Sequence, residues 1–142
     1  FMPEWTRIRN RNATILSNAF SKFAGNNGLL RIPQFKYDNE NVHAYYKYYI
    51  FVQEEALKEG WDRDRIIAEI LSEGVPCMHG SCSEVYLEKA FDKTEFRPNE
   101  RLPIAKKLGE TSMVFLVHPT LNENEMHKIA EVATSVFNKA VD

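Results

Sequence analysis

Apolar residues recur at helical spacing in three stretches of the chain. The first covers residues 3–24 and ends before the turn-forming sequence Gly25-Asn26-Asn27-Gly28. The second follows Asp62, whose side chain can cap a helix N-terminus, and it stops at Gly74. The third fills the C-terminal end of the chain. The predicted buried positions are Ile66, Ile67, Ile70 and Leu71 in the second helix and Met126, Ile129, Ala130, Ala133, Val136, Phe137 and Ala140 in the third.

Three other stretches have the composition of β-strands. Residues 43–52 are rich in aromatic and β-branched side chains, and residues 113–117 form a short apolar run that predicts a buried strand. A shorter strand is predicted at residues 75–78. Alternation along the first of these strands divides its side chains between two faces. The sets are Tyr46, Tyr48, Ile50 and Val52 on one face and Tyr45, Lys47, Tyr49 and Phe51 on the other.

The segment from residue 101 to residue 125 carries the clearest local signals. Pro103 suits the first turn of a short helix, and Gly109 suits its end. The chain turns after the buried strand because the residue before Pro119 is pushed out of the α region. Asn122 and Glu125 have the spacing of a capping box at the start of the last helix. These elements predict an α+β fold in which helices cover a small, mainly antiparallel sheet of about three strands.

Length and composition fit a single domain that comprises residues 1–142. The residues are 44% hydrophobic and 27% charged, and the formal net charge is −2. That charge argues against a surface for nucleic acid or for an anionic membrane. No apolar run approaches the roughly 20 residues that span a bilayer. Two cysteines are too few for the disulfide framework of a small secreted domain, so we expect a cytoplasmic protein.

The two cysteines raise two chemical hypotheses. Cys77, His79, Cys82 and the distant His118 supply the ligand types of a tetrahedral zinc site, but their spacing is not a standard one. The second hypothesis is a thiol nucleophile, and no nucleophile motif surrounds either cysteine. The interpretation that we favour is that both cysteines are small apolar residues beside a loop and that no metal is bound.

Other polar and aromatic patterns have equally simple explanations. The aromatic strand, with Lys36 and Lys47, could stack nucleic-acid bases, but core or interface packing explains its aromatic residues better. Residues 25–28 lack the strand and helix that flank a phosphate-binding loop. Arg7, Arg9 and Arg11 lie in the first turns of a helix, where we expect acidic neighbours or an anion to compensate them. They diverge by about 200° at each step, so they cannot converge on one anion, and a solvated face or a subunit contact explains them better. We therefore expect no self-contained catalytic site.

Several short motifs follow one another along nearly the whole chain. They are the arginine-rich segment 5–13, Arg63-Asp64, Gly74-Val75-Pro76, residues 102–105 (Leu-Pro-Ile-Ala) and residues 118–121 (His-Pro-Thr-Leu). Residues 43–50 read His-Ala-Tyr-Tyr-Lys-Tyr-Tyr-Ile. Together these motifs resemble the DegT-type sugar aminotransferases, whose strand typically reads His-Val-Tyr-His-Leu-Tyr-Val-Ile. The chain departs from the family pattern at two places. Tyr46 stands at the position of the second histidine of the strand, and Gly80-Ser81-Cys82 stands where the family usually has a His-Tyr-Pro loop near the substrate.

The resemblance implies that the chain is the C-terminal small domain of a longer enzyme, with residues 1–24 as the helix that leaves the large domain. The cofactor would be pyridoxal phosphate, bound mainly by the large domain. The substrate would be a keto-sugar nucleotide, aminated for polysaccharide or deoxyamino-sugar biosynthesis. The enzyme would be a homodimer with its active site in a cleft between the two domains. Because the family's Schiff-base lysine lies in the large domain, no catalytic residue is expected in this chain.

The loop at residues 78–86 is the part of this chain that we expect to contact the substrate. It offers His79, Ser81, Ser83 and Tyr86 as hydrogen-bonding groups for sugar hydroxyls or for the diphosphate. The sequence begins abruptly just ahead of a helix, which we interpret as a cut within a longer polypeptide. The alternative is a non-catalytic interaction or regulatory domain that uses the same fold, since fold does not determine function.

Overall fold

The computed structural model describes residues 1–35 and 41–141, which contain four α-helices and a four-stranded sheet. The helices are α1 (Met2–Phe20), α2 (Arg63–Ser72), α3 (Pro103–Thr111) and α4 (Glu123–Ala140). The strands are β1 (Leu30–Arg31), β2 (Tyr48–Val52), β3 (Cys77–His79) and β4 (Ser112–Phe115). The predicted α+β fold class is confirmed. Within the described ranges, no helix has the length and apolar character needed to cross a membrane.

The strands lie in the order β1-β2-β4-β3, and each neighbouring pair is antiparallel. Phe115 in β4 pairs with Tyr48 on one side and with Cys77 on the other, so these three side chains share one face of the sheet. The opposite face, which we call the outer face, carries Tyr49 and Phe51. The sequence predicted β2, β3 and β4. It missed β1 because two residues are too few to show alternation.

The inner face of the sheet and the helices α1, α2 and α4 enclose the hydrophobic core. Phe20 of α1 packs between the sheet and α4, with its ring centroid 5.4 Å from that of Phe115 and 5.2 Å from that of Phe137. Every predicted buried position of α4 is buried, and Ile66, Ile67 and Ile70 of α2 complete the core. Burial of each large apolar side chain stabilises the fold by about 1.5–3 kcal/mol relative to exposure.

Local signals set both ends of α2 and the start of α4 where the sequence predicted them. Asp62 accepts a hydrogen bond from the Arg65 N–H at 2.7 Å and so caps α2. Asn122 and Glu125 form the predicted capping box, with bonds of 3.0 and 2.7 Å between each side chain and the other residue's N–H. Gly74 adopts a φ of 78° after α2, a conformation that glycine reaches without strain.

Three predictions about the regular elements were wrong. Tyr46 is 80% exposed and does not share the face of Tyr48, Ile50 and Val52, because Tyr45 has a φ of 43° and β2 begins only after this bend. Leu71 is 49% exposed, because α2 packs against the sheet chiefly through β3 at its edge and its buried stripe is narrow. Gly109 does not end α3, which continues to Thr111.

Candidate functional site

The structure places Met78 and His79 of the predicted loop at the end of β3, and the remaining residues, 80–86, leave this strand and cross the outer face of the sheet. A Cβ atom on Gly80 would lie 2.3 Å from Ser112 Oγ, so the backbone passes directly against β4. Ser83 approaches α3 equally closely, since a Cβ atom on Gly109 would lie 2.4 Å from Ser83 Oγ. Glycine at position 109 therefore allows the loop to pack on the helix and has no role in ending it.

His79 is attached to the first turn of α2. Its Nε2 lies 3.0 Å from Asp64 Oδ1, which also accepts a hydrogen bond from Arg63 at 2.5 Å. Arg63 donates further bonds to the carbonyl oxygens of Gly109 and Ser112, at 3.1 and 2.7 Å. Partial burial opposes ionisation of Asp64, but the bonds from Arg63 and His79 outweigh it and hold its pKa below the ordinary value. The Arg63-Asp64 motif thus links α2 to β3 and to the end of α3.

Ser81 is held by the phenol of Tyr49 on the outer face. The two side-chain oxygens are 2.7 Å apart, and the Ser81 N–H donates to the same phenol oxygen at 3.2 Å. The hydrogen bond with the Ser81 side chain lowers the pKa of Tyr49, with smaller contributions from the Ser81 N–H and from Lys47. Sequence reasoning did not select Tyr49. The available signal was that Tyr49 stands where the family pattern has valine and Ser81 stands where it has tyrosine.

Tyr86 belongs to a separate cluster at the far end of the loop. Its hydroxyl donates to Glu84 Oε1 at 2.7 Å and accepts the Leu102 N–H at 2.9 Å. Arg101 binds both oxygens of Glu84, at 2.6 and 2.5 Å. The bonds from Arg101, followed by the bond from Tyr86, lower the pKa of Glu84 to about 2. The O–H of Tyr86 therefore donates within the chain. The cluster joins the two ends of the segment between residues 84 and 102.

The two cysteines occupy opposite environments. Cys77 is 1% exposed in the core, and burial raises its pKa to about 12. Cys82 is exposed, with its sulfur 3.8 Å from a Glu88 oxygen. In the part of the chain that the structure describes, no three His, Cys, Asp or Glu side chains are grouped so that they could hold a metal ion. Neither the zinc hypothesis nor the thiol-nucleophile hypothesis gains support from these positions.

Two of the three arginines near the N-terminus have the acidic neighbours that the sequence led us to expect, whereas the Nε of Arg9 is buried without a hydrogen-bond partner among the described residues. Arg7 donates to both oxygens of Glu4, at 3.0 and 2.7 Å. Arg11 lies 3.4 Å from a Glu123 oxygen across the α1–α4 interface. These pairs indicate a structural role for the arginine-rich segment. Lys36, part of the base-stacking hypothesis, lies outside the described residues.

A cleft of about 710 Å³ opens on the outer face, between α3 and the β1–β2 pair. Arg31 and Phe51 form one wall, with the guanidinium carbon 4.0 Å from the ring centroid. Ile104 and Lys107 of α3 form the opposite wall. Sequence reasoning missed this site because Arg31 and Phe51 become neighbours only through the pairing of β1 with β2.

Comparison with known proteins adds the identity of the family. The model of the DegT/DnrJ/EryC1/StrS aminotransferase family matches residues 2–134. The chain belongs to this family. A solved aminotransferase from Psychrobacter cryohalolentis is 48% identical, with a TM-score of 0.90 over 98% of this chain and 36% of that protein. No curated protein matches the chain.

Two more distant solved structures share the fold of this family member. Helicobacter pylori PseC, an aminotransferase involved in the biosynthesis of pseudoaminic acid, is 14% identical with a TM-score of 0.75, over 96% of this chain and 34% of PseC. A GDP-4-keto-6-deoxymannose-3-dehydratase with a trapped PLP-glutamate geminal diamine is 16% identical, with a TM-score of 0.67 over 92% of this chain and 31% of that protein. The chain thus spans about a third of the length of these proteins.

None of the described lysines of this DegT-family chain has the buried environment that favours a covalent bond to a pyridoxal cofactor. A lysine that bonds covalently to such a cofactor reacts in its neutral form, which a desolvated position or a neighbouring cation favours. No lysine in residues 1–35 and 41–141 is buried. No chemical step on the cofactor is therefore assigned to the described lysines.

Proposed function

We propose that this chain is the C-terminal small domain of a pyridoxal-phosphate-dependent aminotransferase that aminates a keto-sugar nucleotide. The rest of the enzyme supplies the Schiff-base lysine and the groups that bind the cofactor, and the assembled enzyme is a homodimer. This chain shapes one side of the substrate cleft through the loop at residues 78–86. The observation that carries the proposal is the 48% identity, over 98% of this chain, with about a third of a solved aminotransferase.

Two of the related structures support the cofactor and the substrate class. The dehydratase was solved with a PLP-glutamate adduct, and its name specifies a nucleotide-linked keto-sugar. PseC is an aminotransferase of a biosynthetic route. Because the chain corresponds to only part of each protein, these properties belong to the proposed longer enzyme.

The attachment of the loop supports its role as a substrate surface. His79 keeps 60% of its side chain exposed while its Nε2 is fixed by Asp64. Ser81 is exposed, and its backbone and side chain are both fixed by Tyr49. Polar groups that are held in place before a ligand arrives lose less conformational entropy on binding, so they orient a substrate more effectively.

Reductive trapping tests where the cofactor binds. The 142-residue chain is mixed with pyridoxal phosphate, treated with borohydride and analysed by peptide mass mapping. The expected result is no stoichiometric adduct at any one lysine, because the described lysines are not buried. The longer natural polypeptide should give one specific adduct outside this segment. A unique, stoichiometric adduct within residues 1–142 would contradict the proposed division of labour.

Half-reaction kinetics of the longer enzyme test the loop. Replacing His79 and Ser81 by alanine should weaken use of the keto-sugar nucleotide by about 1–3 kcal/mol in transition-state terms, as expected for lost hydrogen bonds. The half-reaction with the amino donor should change little. The matched control replaces His127 and Ser135, both exposed on α4, by alanine. Equal losses in both half-reactions would indicate misfolding, and unchanged keto-sugar kinetics would remove the loop from the site.

The non-catalytic alternative makes a different prediction. Under that alternative, the natural polypeptide that contains this segment has no lysine that can be trapped with pyridoxal phosphate and no aminotransferase activity. Sequencing the coding region upstream of Phe1 and assaying the natural polypeptide separate the two proposals.

A further inference from the structure

The hydroxyl groups of Tyr49 and Ser81 form a pair in which one hydrogen is left over. Their oxygens are 2.7 Å apart, and the Tyr49 oxygen also accepts the Ser81 N–H at 3.2 Å. Neither oxygen has another hydrogen-bond partner in residues 1–35 and 41–141. Two hydroxyl groups carry two hydrogens, and the bond between them uses only one. The other O–H therefore has no acceptor within the described chain.

The pKa of Tyr49 indicates which hydroxyl keeps the free hydrogen. The side-chain bond with Ser81 is the largest cause of the lowered pKa, and the Ser81 N–H adds to it. Hydrogen-bond donors stabilise the ionised form of a phenol, so this direction fits an arrangement in which Ser81 donates twice to the Tyr49 oxygen. The O–H of Tyr49 then points away from Ser81. In the reverse arrangement Ser81 keeps the free hydrogen, so the pair offers one donor in either case.

Both members of the pair are held by the sheet. Tyr49 lies in β2, where it pairs with Val114 of β4. The backbone of Gly80 passes so close to the sheet that a Cβ atom there would lie 2.3 Å from Ser112 Oγ and 3.2 Å from the Tyr49 ring. Ser81 follows directly, so packing as well as hydrogen bonding fixes its position against Tyr49. A donor that is oriented before a ligand arrives loses little conformational entropy on binding.

The chemistry of the pair suits a neutral oxygen atom better than a phosphate. Phosphate sites use charged side chains or several backbone N–H groups. The Ser81 N–H is already bonded to Tyr49, and Lys47 contributes less to the lowered pKa of Tyr49 than either bond from Ser81. The hydroxyl, ring and keto oxygens of a keto-sugar are neutral acceptors. We infer that the Tyr49–Ser81 pair donates one hydrogen bond to an oxygen of the sugar part of the substrate, which makes Tyr49 a substrate-binding residue.

This inference rests on the proposed function, and a double-mutant cycle in the longer natural polypeptide tests it. The substrates are GDP-4-keto-6-deoxymannose and its UDP- and dTDP-linked counterparts, and the measured quantity is kcat/KM of the keto-sugar half-reaction. Tyr49→Phe leaves the Ser81 hydroxyl to donate, and Ser81→Ala leaves the Tyr49 hydroxyl, so each should lower kcat/KM by no more than about threefold. The double substitution removes both donors and should lower kcat/KM by about thirtyfold, which exceeds the product of the single effects.

A purely structural role of Tyr49 predicts the opposite coupling. If the phenol only attaches the loop, Ser81→Ala has almost no further effect once the Tyr49 oxygen is absent. The double variant would then have the same kcat/KM as Tyr49→Phe. Kinetics of this kind would overturn the inference, because the activity cycle would merely repeat the coupling that is expected for stability.

The matched control is a second serine–tyrosine pair on the other face of the sheet. Ser17 Oγ lies 2.9 Å from the hydroxyl of Tyr48, which faces the core. Ser17→Ala combined with Tyr48→Phe should leave kcat/KM of the keto-sugar half-reaction within about twofold of wild type. A loss in this control as large as that in Tyr49→Phe with Ser81→Ala would overturn the inference, since any lost serine–tyrosine pair would then impair the enzyme.

Two further measurements assign the acceptor. GDP, UDP or dTDP, which lack the sugar, should inhibit the wild type and the Tyr49→Phe, Ser81→Ala double variant equally, and weaker inhibition of the double variant would overturn the assignment to the sugar. The amino-donor half-reaction should be unchanged, and an equal loss there would place the acceptor in the protein and overturn the inference. A wild-type polypeptide that reacts with none of the keto-sugar nucleotides contradicts the proposed function itself, a result that is obtained before any variant is made.

Discussion

The phenol oxygen of Tyr49 is the atom through which β2 holds the candidate substrate loop. It makes two hydrogen bonds, one with Ser81 Oγ at 2.7 Å and one with the Ser81 N–H at 3.2 Å. Tyr49→Phe deletes this oxygen and keeps the ring. The variant therefore measures how strongly the loop is attached to the sheet.

The expected loss of stability follows from these two bonds. A hydrogen bond within a protein contributes a net of about 0.5–1.5 kcal/mol, and the lower part of that range applies because Ser81 is exposed and water can replace the lost partner. We expect Tyr49→Phe to reduce the free energy of unfolding by about 1 kcal/mol. Ser81→Ala removes only the side-chain bond and should reduce it by about half as much. In the Tyr49→Phe background, Ser81→Ala should have almost no effect, since the partner oxygen is already absent.

Urea unfolding followed by circular dichroism measures all four members of this double-mutant cycle. The control is Tyr46→Phe, which deletes the same atom from a tyrosine that is 80% exposed and should leave stability within about 0.5 kcal/mol of wild type. Additive effects of Tyr49→Phe and Ser81→Ala would show that the two side chains do not interact in solution. An effect of Tyr49→Phe no larger than that of Tyr46→Phe would refute the attachment itself.

The same contact has a pH signature. Ser81 lowers the pKa of Tyr49 in the folded chain, whereas the unfolded chain has the ordinary value of about 10. The folded state is therefore additionally stabilised above pH 10, and this contribution is lost as the pH falls through the lowered pKa. In a spectrophotometric titration, Tyr49 should ionise earlier in wild type than in Ser81→Ala. Identical titration curves would contradict the assigned hydrogen bonds.

Three further predictions concern other contacts of the loop. Gly109→Ala should destabilise the wild type, because the new Cβ atom would clash with Ser83. In a Ser83→Gly background the same substitution should stabilise the chain by up to about 1 kcal/mol, because alanine has the higher helix propensity. A change of the same sign in both backgrounds, measured by thermal unfolding, would refute this reasoning. Glu84 has a pKa of about 2 in the folded chain and an ordinary value of 4.5 in the unfolded chain. Its ionised form therefore stabilises the folded state above pH 4.5, and this contribution is lost as the pH falls from 4.5 to 2. The stability of Glu84→Gln should depend less on pH in this window, as acid unfolding will measure. Alkylation of the native chain followed by mass spectrometry should modify Cys82 alone, with Cys77 reacting only in denaturant.

The helices, both ends of α2 and the start of α4 could be predicted from the sequence because their determinants are local. Asp62 and Asn122 cap N–H groups three residues away, and the buried stripe of α4 repeats at the helical period. The bend before β2 was missed for the opposite reason. Tyr45 has a positive φ, which a bulky residue rarely adopts, whereas tyrosine as a residue type favours a β-strand.

The arrangement of the sheet and of the cleft could not be predicted, because contacts between distant segments create both. Strand β1 exists through its pairing with β2, which also places Arg31 over Phe51. Likewise, Gly109 resembles a helix end in sequence, and only the approach of Ser83 reveals why it has no side chain. The candidate loop was found from its composition, but its partners were not.

The partners of the loop give the departures from the family pattern a physical meaning. Tyr49 replaces a valine of the strand pattern, and Ser81 replaces a tyrosine of the loop pattern. In the structure these two positions form one contact, so the phenol that the loop lacks is supplied by the strand beside it. A phenol fixed on β2 has the sheet as its support, whereas one on the loop would move with the loop.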